Sequence, residues 1–273
     1  MSEFKYNDTK LYYETYGEGM PILLIHGWGI DHCYLTGCME PVFGTMKDEF
    51  KRFYVDLPGM GRSKEGSVHN TEDIVEVLLT FIKENIKGDF LLAGNSYGGL
   101  ISRIIANKMP DRVKGMILIC TSQGNIKRTL PERYVLKKDN DLLNELDKKQ
   151  IEHFASMNVR LTRDVWEIYQ RDIYPAVLQN EDNHFLNHVL DGDISLQLQH
   201  EIDHRVFDKP VLILTGKQDT CVGYEDQFKW IKPYPRADYH AIEGAGHNLS
   251  MDQPQLFECI VKSWLINFMI KEN

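Results

Sequence analysis

Leu91-Leu92-Ala93-Gly94-Asn95-Ser96-Tyr97-Gly98-Gly99 decides how this chain is read. It is a G-x-S-x-G lying between an apolar run, Phe90–Ala93, and a helical face made by Leu100, Ile101, Ile104 and Ile105 that ends before Pro110. A serine on a sharp strand-to-helix turn projects its hydroxyl above the sheet, and small residues such as Gly94 and Gly98 let neighbouring backbone pass close to it. Ser96 could also serve only as a helix N-cap. The strand before it and the helix after it favour a nucleophile.

A serine hydroxyl is nearly unreactive at neutral pH until a base takes its proton, which calls for a histidine on another loop. Of the ten histidines, His247 sits on a Gly-rich turn, Glu243-Gly244-Ala245-Gly246-His247-Asn248-Leu249, after the predicted strand Tyr239–Ile242. The imidazole in turn needs an acid to hold its tautomer. Asp219 follows the predicted strand Val211–Leu214 in Thr215-Gly216-Lys217-Gln218-Asp219, whereas the strand before that ends Cys120-Thr121-Ser122-Gln123 without a carboxylate. Glu243 and Asp252 are nearer to His247 in sequence and read as turn support and the start of the last helix. Two backbone N–H groups must meet a developing oxyanion, and losing one costs about 3 kcal/mol. Tyr97, after the serine, supplies one. Trp28, in the tight turn His26-Gly27-Trp28-Gly29 after Ile22–Ile25, supplies the other, and its indole is placed to line a pocket.

Further out, Phe4–Tyr6 and Leu11–Tyr16 form a strand pair around the turn signal Asn7-Asp8. After Pro21, apolar runs at Ile22–Ile25, Phe53–Val55, Phe90–Ala93, Met116–Cys120 and Val211–Leu214 alternate with helical patterns. Near-continuous apolar character of this kind belongs to parallel strands buried on both faces. One helix carries Ile74, Val77, Leu78, Phe81 and Ile82 behind a cap at Thr71; the last carries Leu256, Ile260, Val261, Trp264, Leu265 and Phe268. Between about Ser122 and Arg205 the strand signal lapses and helical segments follow one another. The expected organisation is a core of residues 1–121 and 206–273 with an inserted helical lid at 122–205.

Taken together, His26-Gly27-Trp28, Asp56-Leu57-Pro58-Gly59-Met60-Gly61-Arg62-Ser63, the serine elbow, Gly216-Lys217-Gln218-Asp219 and Gly246-His247 resemble the α/β-hydrolase superfamily over nearly the whole chain outside the lid. The resemblance implies a mostly parallel eight-stranded sheet flanked by helices, a helical cap after the sixth strand, and a structural rather than catalytic role for Asp56–Ser63. It also implies a catalytic set of Ser96, Asp219 and His247 with an oxyanion hole at Trp28 and Tyr97, working without cofactor or metal on a small-molecule carboxylic ester. Ser96 stands where haloalkane dehalogenases and epoxide hydrolases of this fold carry aspartate. The elbow is also similar to that of C–C bond hydrolases of ring-cleavage products, although those commonly place a tryptophan shortly after the histidine, where Asn248 and Leu249 stand here. Proline iminopeptidase-like enzymes, a third reading, use lid carboxylates to hold a substrate ammonium. Lid aromatics Phe154, Trp166, Tyr169, Tyr174 and Phe185 are candidate pocket walls or packing within the lid itself.

His200-Glu201-Ile202-Asp203-His204 fits the H-E-x-x-H pattern of zinc proteases. Pro210 and a sheet strand follow so closely that a rigid metal-binding helix is not expected there; His184 and His188, four apart, invite the same caution.

The composition limits partners. The 273 residues carry a net charge of −9, with 42% hydrophobic and 26% charged residues, which suits a packed globular chain and disfavours nucleic acid. The apolar runs are far short of the roughly 20 residues of a membrane span. Charges in Met1–Asp8 occupy the place of a signal peptide's apolar core, and five cysteines without a C-x-x-C pair suit reduced thiols, so a cytoplasmic chain is expected, with homo-oligomerisation left open. Residues 139–204 hold 14 acidic and five basic side chains, which accounts for the whole net charge. That surplus is either a solvated helical surface or a field at the pocket mouth that disfavours anionic substrates.

Overall fold

The computed structural model describes residues 2–124, 127–180, 183–188 and 194–272. Its framework is an eight-stranded sheet in the order β1-β2-β4-β3-β5-β6-β9-β10. The strands are β1 (Ser2–Tyr6), β2 (Thr9–Tyr16), β3 (Met20–Ile25), β4 (Phe50–Val55), β5 (Phe90–Asn95), β6 (Val113–Ile119), β9 (Val211–Gly216) and β10 (Ala237–Ile242). β2 pairs antiparallel with both neighbours and every other pairing is parallel. β5 and β9 are buried along their whole length, as strands covered on both faces must be. β1 and β2 close the edge, where Asn7 turns the chain at φ +53°.

Helices cover both faces. On one side α2 (Thr71–Asn85) and α3 (Tyr97–Lys108) bury Ile74, Leu78, Phe81, Leu100, Ile101 and Ile104 against Leu23, Ile25, Leu92 and Leu118. On the other, α1 (Cys33–Phe43) and α11 (Pro254–Glu272) bury Leu35, Phe43, Phe257, Val261 and Leu265 against Leu24, Leu91, Ile117 and Leu212. The last helix differs in detail from expectation, because Leu256 is exposed and Phe257 takes the inward position. The cap of α2 is Asn70 rather than Thr71: the Asn70 side chain accepts the Asp73 N–H at 2.8 Å. Thr71 is the first helical residue, buried, with its hydroxyl receiving that of Tyr97 at 2.9 Å.

Between β6 and β9 the chain forms α4 (Asn140–Glu145), α5 (Lys148–Met157), α6 (Arg163–Asp172), α7 (Tyr174–Gln179), α8 (His184–His188) and α9 (Leu196–His204). α5 starts on a capping box in which Asp147 and Gln150 satisfy each other's backbone N–H. The stretch is not wholly helical, since β7 (Lys137–Lys138) pairs with β8 (Arg160–Leu161). Two-residue strands held by backbone bonds alone leave no side-chain alternation to read. No described helix is long and apolar enough to cross a membrane.

Candidate active site

Ser96 lies between the end of β5 and the start of α3, with φ +50° and ψ −116°, a conformation that a non-glycine residue adopts only under constraint. The constraint is visible. The Ser96 N–H donates to Ile119 O at 2.9 Å, and its carbonyl accepts from Gly99 at 3.0 Å and Ser122 at 2.9 Å, so the turn is pinned to the end of β6. α3 approaches β3 so closely that a Cβ on Gly98 would lie 2.0 Å from Ile25 O, which is why glycine stands two residues after the serine.

His247 follows β10 on the Gly244–Gly246 turn, and its Nδ1 lies 2.9 Å from Asp219 Oδ2. The other Asp219 oxygen accepts the N–H groups of Cys221 at 2.8 Å and Val222 at 3.0 Å. Asp219 is wholly buried and can therefore neither rotate nor exchange partners with solvent. A carboxylate only accepts, so the neutral imidazole carries its proton on Nδ1 and presents Nε2 as an acceptor.

Ser96 and His247 border a single cavity of about 200 Å³, together with Gly27, Trp28 and Gly29 from the loop after β3. A Cβ on Gly27 would lie 3.3 Å from the Ser96 Cβ, so that loop rests directly on the serine. The Trp28 and Tyr97 rings meet edge to face at 5.0 Å, which puts the two residues expected to form the oxyanion hole side by side. The remaining wall comes mainly from the inter-strand helices, and there the expectations divide. Tyr169 borders the cavity, whereas Phe154, Trp166, Tyr174 and Phe185 do not. Phe154 and Trp166 are buried against each other (centroids 5.2 Å apart) and against Tyr169 (5.3 and 5.7 Å), so they build the interior of the helical layer. Phe185 stacks on Trp28, with ring centroids 6.5 Å apart.

Several wall residues carry no signal in the sequence: His153, Ser156 and Met157 on α5, Ile173 and Val177 at α7, and Ile30 and Cys221 on loops. His153, Ser156 and Met157 share helical spacing, but the placement of α5 alone decides which of its faces meets the cavity. Among the described residues, no aspartate or glutamate borders the cavity. Of the described acids of 139–204, Asp203 pairs with Arg103 at 2.8 Å and Glu145 with Arg163 at 2.6 Å.

The H-E-x-x-H segment is helical after all, within α9, with the His200 and His204 rings stacked at 4.2 Å. Among the described residues, no third His, Cys, Asp or Glu completes a metal-binding group with them. Asp56 accepts the N–H and Nδ1 of His32 at 2.8 and 2.7 Å and the N–H of Arg62 at 2.9 Å, so the Asp56–Ser63 turn is a braced loop beside the site.

Comparison with known proteins bears on the same elements. A pimeloyl-(acyl-carrier protein) methyl ester esterase of Shewanella oneidensis is 33% identical over 94% of this chain and 95% of its own. One from Pseudoalteromonas atlantica is 34% identical over 55% of this chain, which there spans about half (57%) of that relative's length. An α/β superfamily hydrolase from Oenococcus oeni superposes with a TM-score of 0.86 at 28% identity, covering 98% of this chain and 99% of that one. The model of the alpha/beta hydrolase fold matches residues 20–254, the stretch that holds the parallel strands, the serine turn, Asp219 and His247, and the chain belongs to that family.

Proposed function

We propose that the protein is a serine hydrolase that cleaves small carboxylic esters through an acyl-enzyme. The reading is carried by one observation: Ser96, on a strained strand-to-helix turn, shares a cavity with an imidazole whose Nδ1 is held by the buried Asp219. His247 Nε2 takes the Ser96 proton as Oγ attacks the acyl carbonyl, and the Trp28 and Tyr97 amides receive the oxyanion. The alcohol departs with the proton from His247. Water, deprotonated by the same nitrogen, then releases the acid and regenerates Ser96.

The cavity of about 200 Å³ lies below the roughly 300–1,000 Å³ of sites for drug-sized ligands, which favours a short acyl group. Trp28, Ile30, Met157, Tyr169, Ile173 and Val177 in its wall are suited to an aliphatic chain. The relatives named as methyl ester esterases agree with an ester whose alcohol is small. A fluorophosphonate probe should label the wild type and not Ser96→Ala, and a panel of methyl esters should show kcat/KM falling beyond a short acyl length. Equal labelling of both proteins would refute the nucleophile.

A further inference from the structure

Among the described residues, Asp252 is the one fully buried carboxylate beside the histidine turn that the proposed reaction leaves without a task. Its place in the sequence suggests turn support and the start of the last helix; it ends the short α10 (Leu249–Asp252), and α11 begins at Pro254. Its side chain points back to the turn. Oδ2 accepts the N–H of Gly246, the residue before His247, at 2.9 Å. The same carboxylate accepts the N–H of Val159 at 3.2 Å and, through Oδ1, that of Arg160 at 3.1 Å. The Asp252 carbonyl also accepts from Arg160 Nη1 at 3.1 Å. On the other side of His247, the Asn248 N–H donates to Met157 O at 3.1 Å and its side chain to Asn158 Oδ1 at 2.8 Å. The residues on both sides of the base are thus tied to 157–160, the segment that begins at the cavity-lining Met157.

We propose that Asp252 is a positioning residue that joins the His247 turn to the Met157–Arg160 segment, so that the base and one wall of the cavity are held in a single geometry. The inference rests on the reading of His247 as base. Three N–H donors converge on two oxygens, and a carboxamide cannot serve them all: with one acceptor, asparagine would turn its NH₂ toward either Gly246 or Arg160. Burial pushes the Asp252 carboxyl up to about 6, against the lowering effect of the Gly246, Arg160 and Val159 N–H groups. The charged and titratable groups around it are Arg160, with its partner Asp164 at 3.7 Å, Tyr34 on α1, and His247 one residue beyond the bonded Gly246. Protonation on acidification would turn one acceptor oxygen into a donor and release one of the three N–H groups.

The test compares kcat/KM between pH 4.5 and 8 for wild type, Asp252→Asn and Ser96→Ala, with an ester whose acyl group fills the cavity. Wild type should lose more than one decade per pH unit below about 6, because two protonations disable it; the excess slope follows from the Asp252 value. Asp252→Asn should lose about 10–100-fold in kcat, with the acid limb reduced to one decade per unit, an effect in the usual range for a misplaced catalytic group. An Asp252→Asn enzyme within threefold of wild type and with an unchanged limb overturns the proposal. A fully active Ser96→Ala would instead overturn the triad and leave the role of Asp252 to the second measurement. That measurement is NMR of wild type, where the Gly246, Val159 and Arg160 amide shifts should titrate together with a midpoint near 6. It also decides the matter if Asp252→Asn does not fold, since separate midpoints for these amides overturn the proposal.

Discussion

Replacing Asp219 by asparagine tests the site through a geometric asymmetry. One carboxylate oxygen of Asp219 receives two backbone N–H groups, from Cys221 and Val222, and the other receives His247 Nδ1. In Asp219→Asn the amide oxygen must stay with the two N–H groups, because an NH₂ placed there would face two donors. The NH₂ is then forced toward His247 Nδ1, which becomes an acceptor, and the ring proton moves to Nε2. In that tautomer the imidazole cannot take the Ser96 proton. The analogous exchange in a Ser-His-Asp protease lowers kcat about 10⁴-fold, which at about 1.4 kcal/mol per decade is a loss of roughly 5 kcal/mol of transition-state stabilisation. Stability should change by less than about 1 kcal/mol, since both backbone hydrogen bonds survive. The assay is steady-state ester hydrolysis alongside urea unfolding, with imidazole ¹⁵N shifts reporting the tautomer. A kcat within tenfold of wild type, in a protein of unchanged stability, would refute Asp219 as the partner that orients the base.

Two further outcomes concern the scaffold. Gly98→Ala forces a Cβ to 2.0 Å from Ile25 O, a backbone atom that cannot swing aside, and should cost at least the roughly 1–3 kcal/mol of overpacking in urea unfolding, with activity lost as α3 shifts. For His32, burial works against charging, but the Asp56 hydrogen bond and the charges of Asp56, Asp31 and Glu14 outweigh it and raise its pKa above 6.5. A raised value means that the stability contributed is complete below 6.5 and is lost as pH rises through the folded value. The wild-type urea midpoint should therefore fall between pH 6 and 9 more than that of His32→Gln.

Local features of the chain were readable wherever a residue's own chemistry dictated its surroundings. The apolar runs of β3, β5, β6 and β9 anticipate buried parallel strands, because a strand covered on both faces admits no polar alternation. Gly94-Asn95-Ser96-Tyr97-Gly98 announces its turn because only small neighbours allow α3 so near β3. The helices of 139–204 were legible as helices but not in their orientation, and the two-residue strands were not legible at all. The link from Asp252 to the 157–160 segment is illegible for a related reason: its partners Val159 and Arg160 lie over 90 residues away, and backbone N–H groups leave no mark in a sequence.

By itself, the sequence determined the parallel sheet, the serine turn, and the placing of Asp219 and His247 on the loops after two of its strands, since these follow from burial period, glycine size and side-chain chemistry within a few residues. Only the tertiary structure decided that His247 Nδ1 meets Asp219, and that α5 turns Phe154 away and Met157 toward the cavity. Those outcomes depend on where separately formed elements come to rest against one another. That is set by the summed packing of residues far apart in the chain, and no local pattern encodes it.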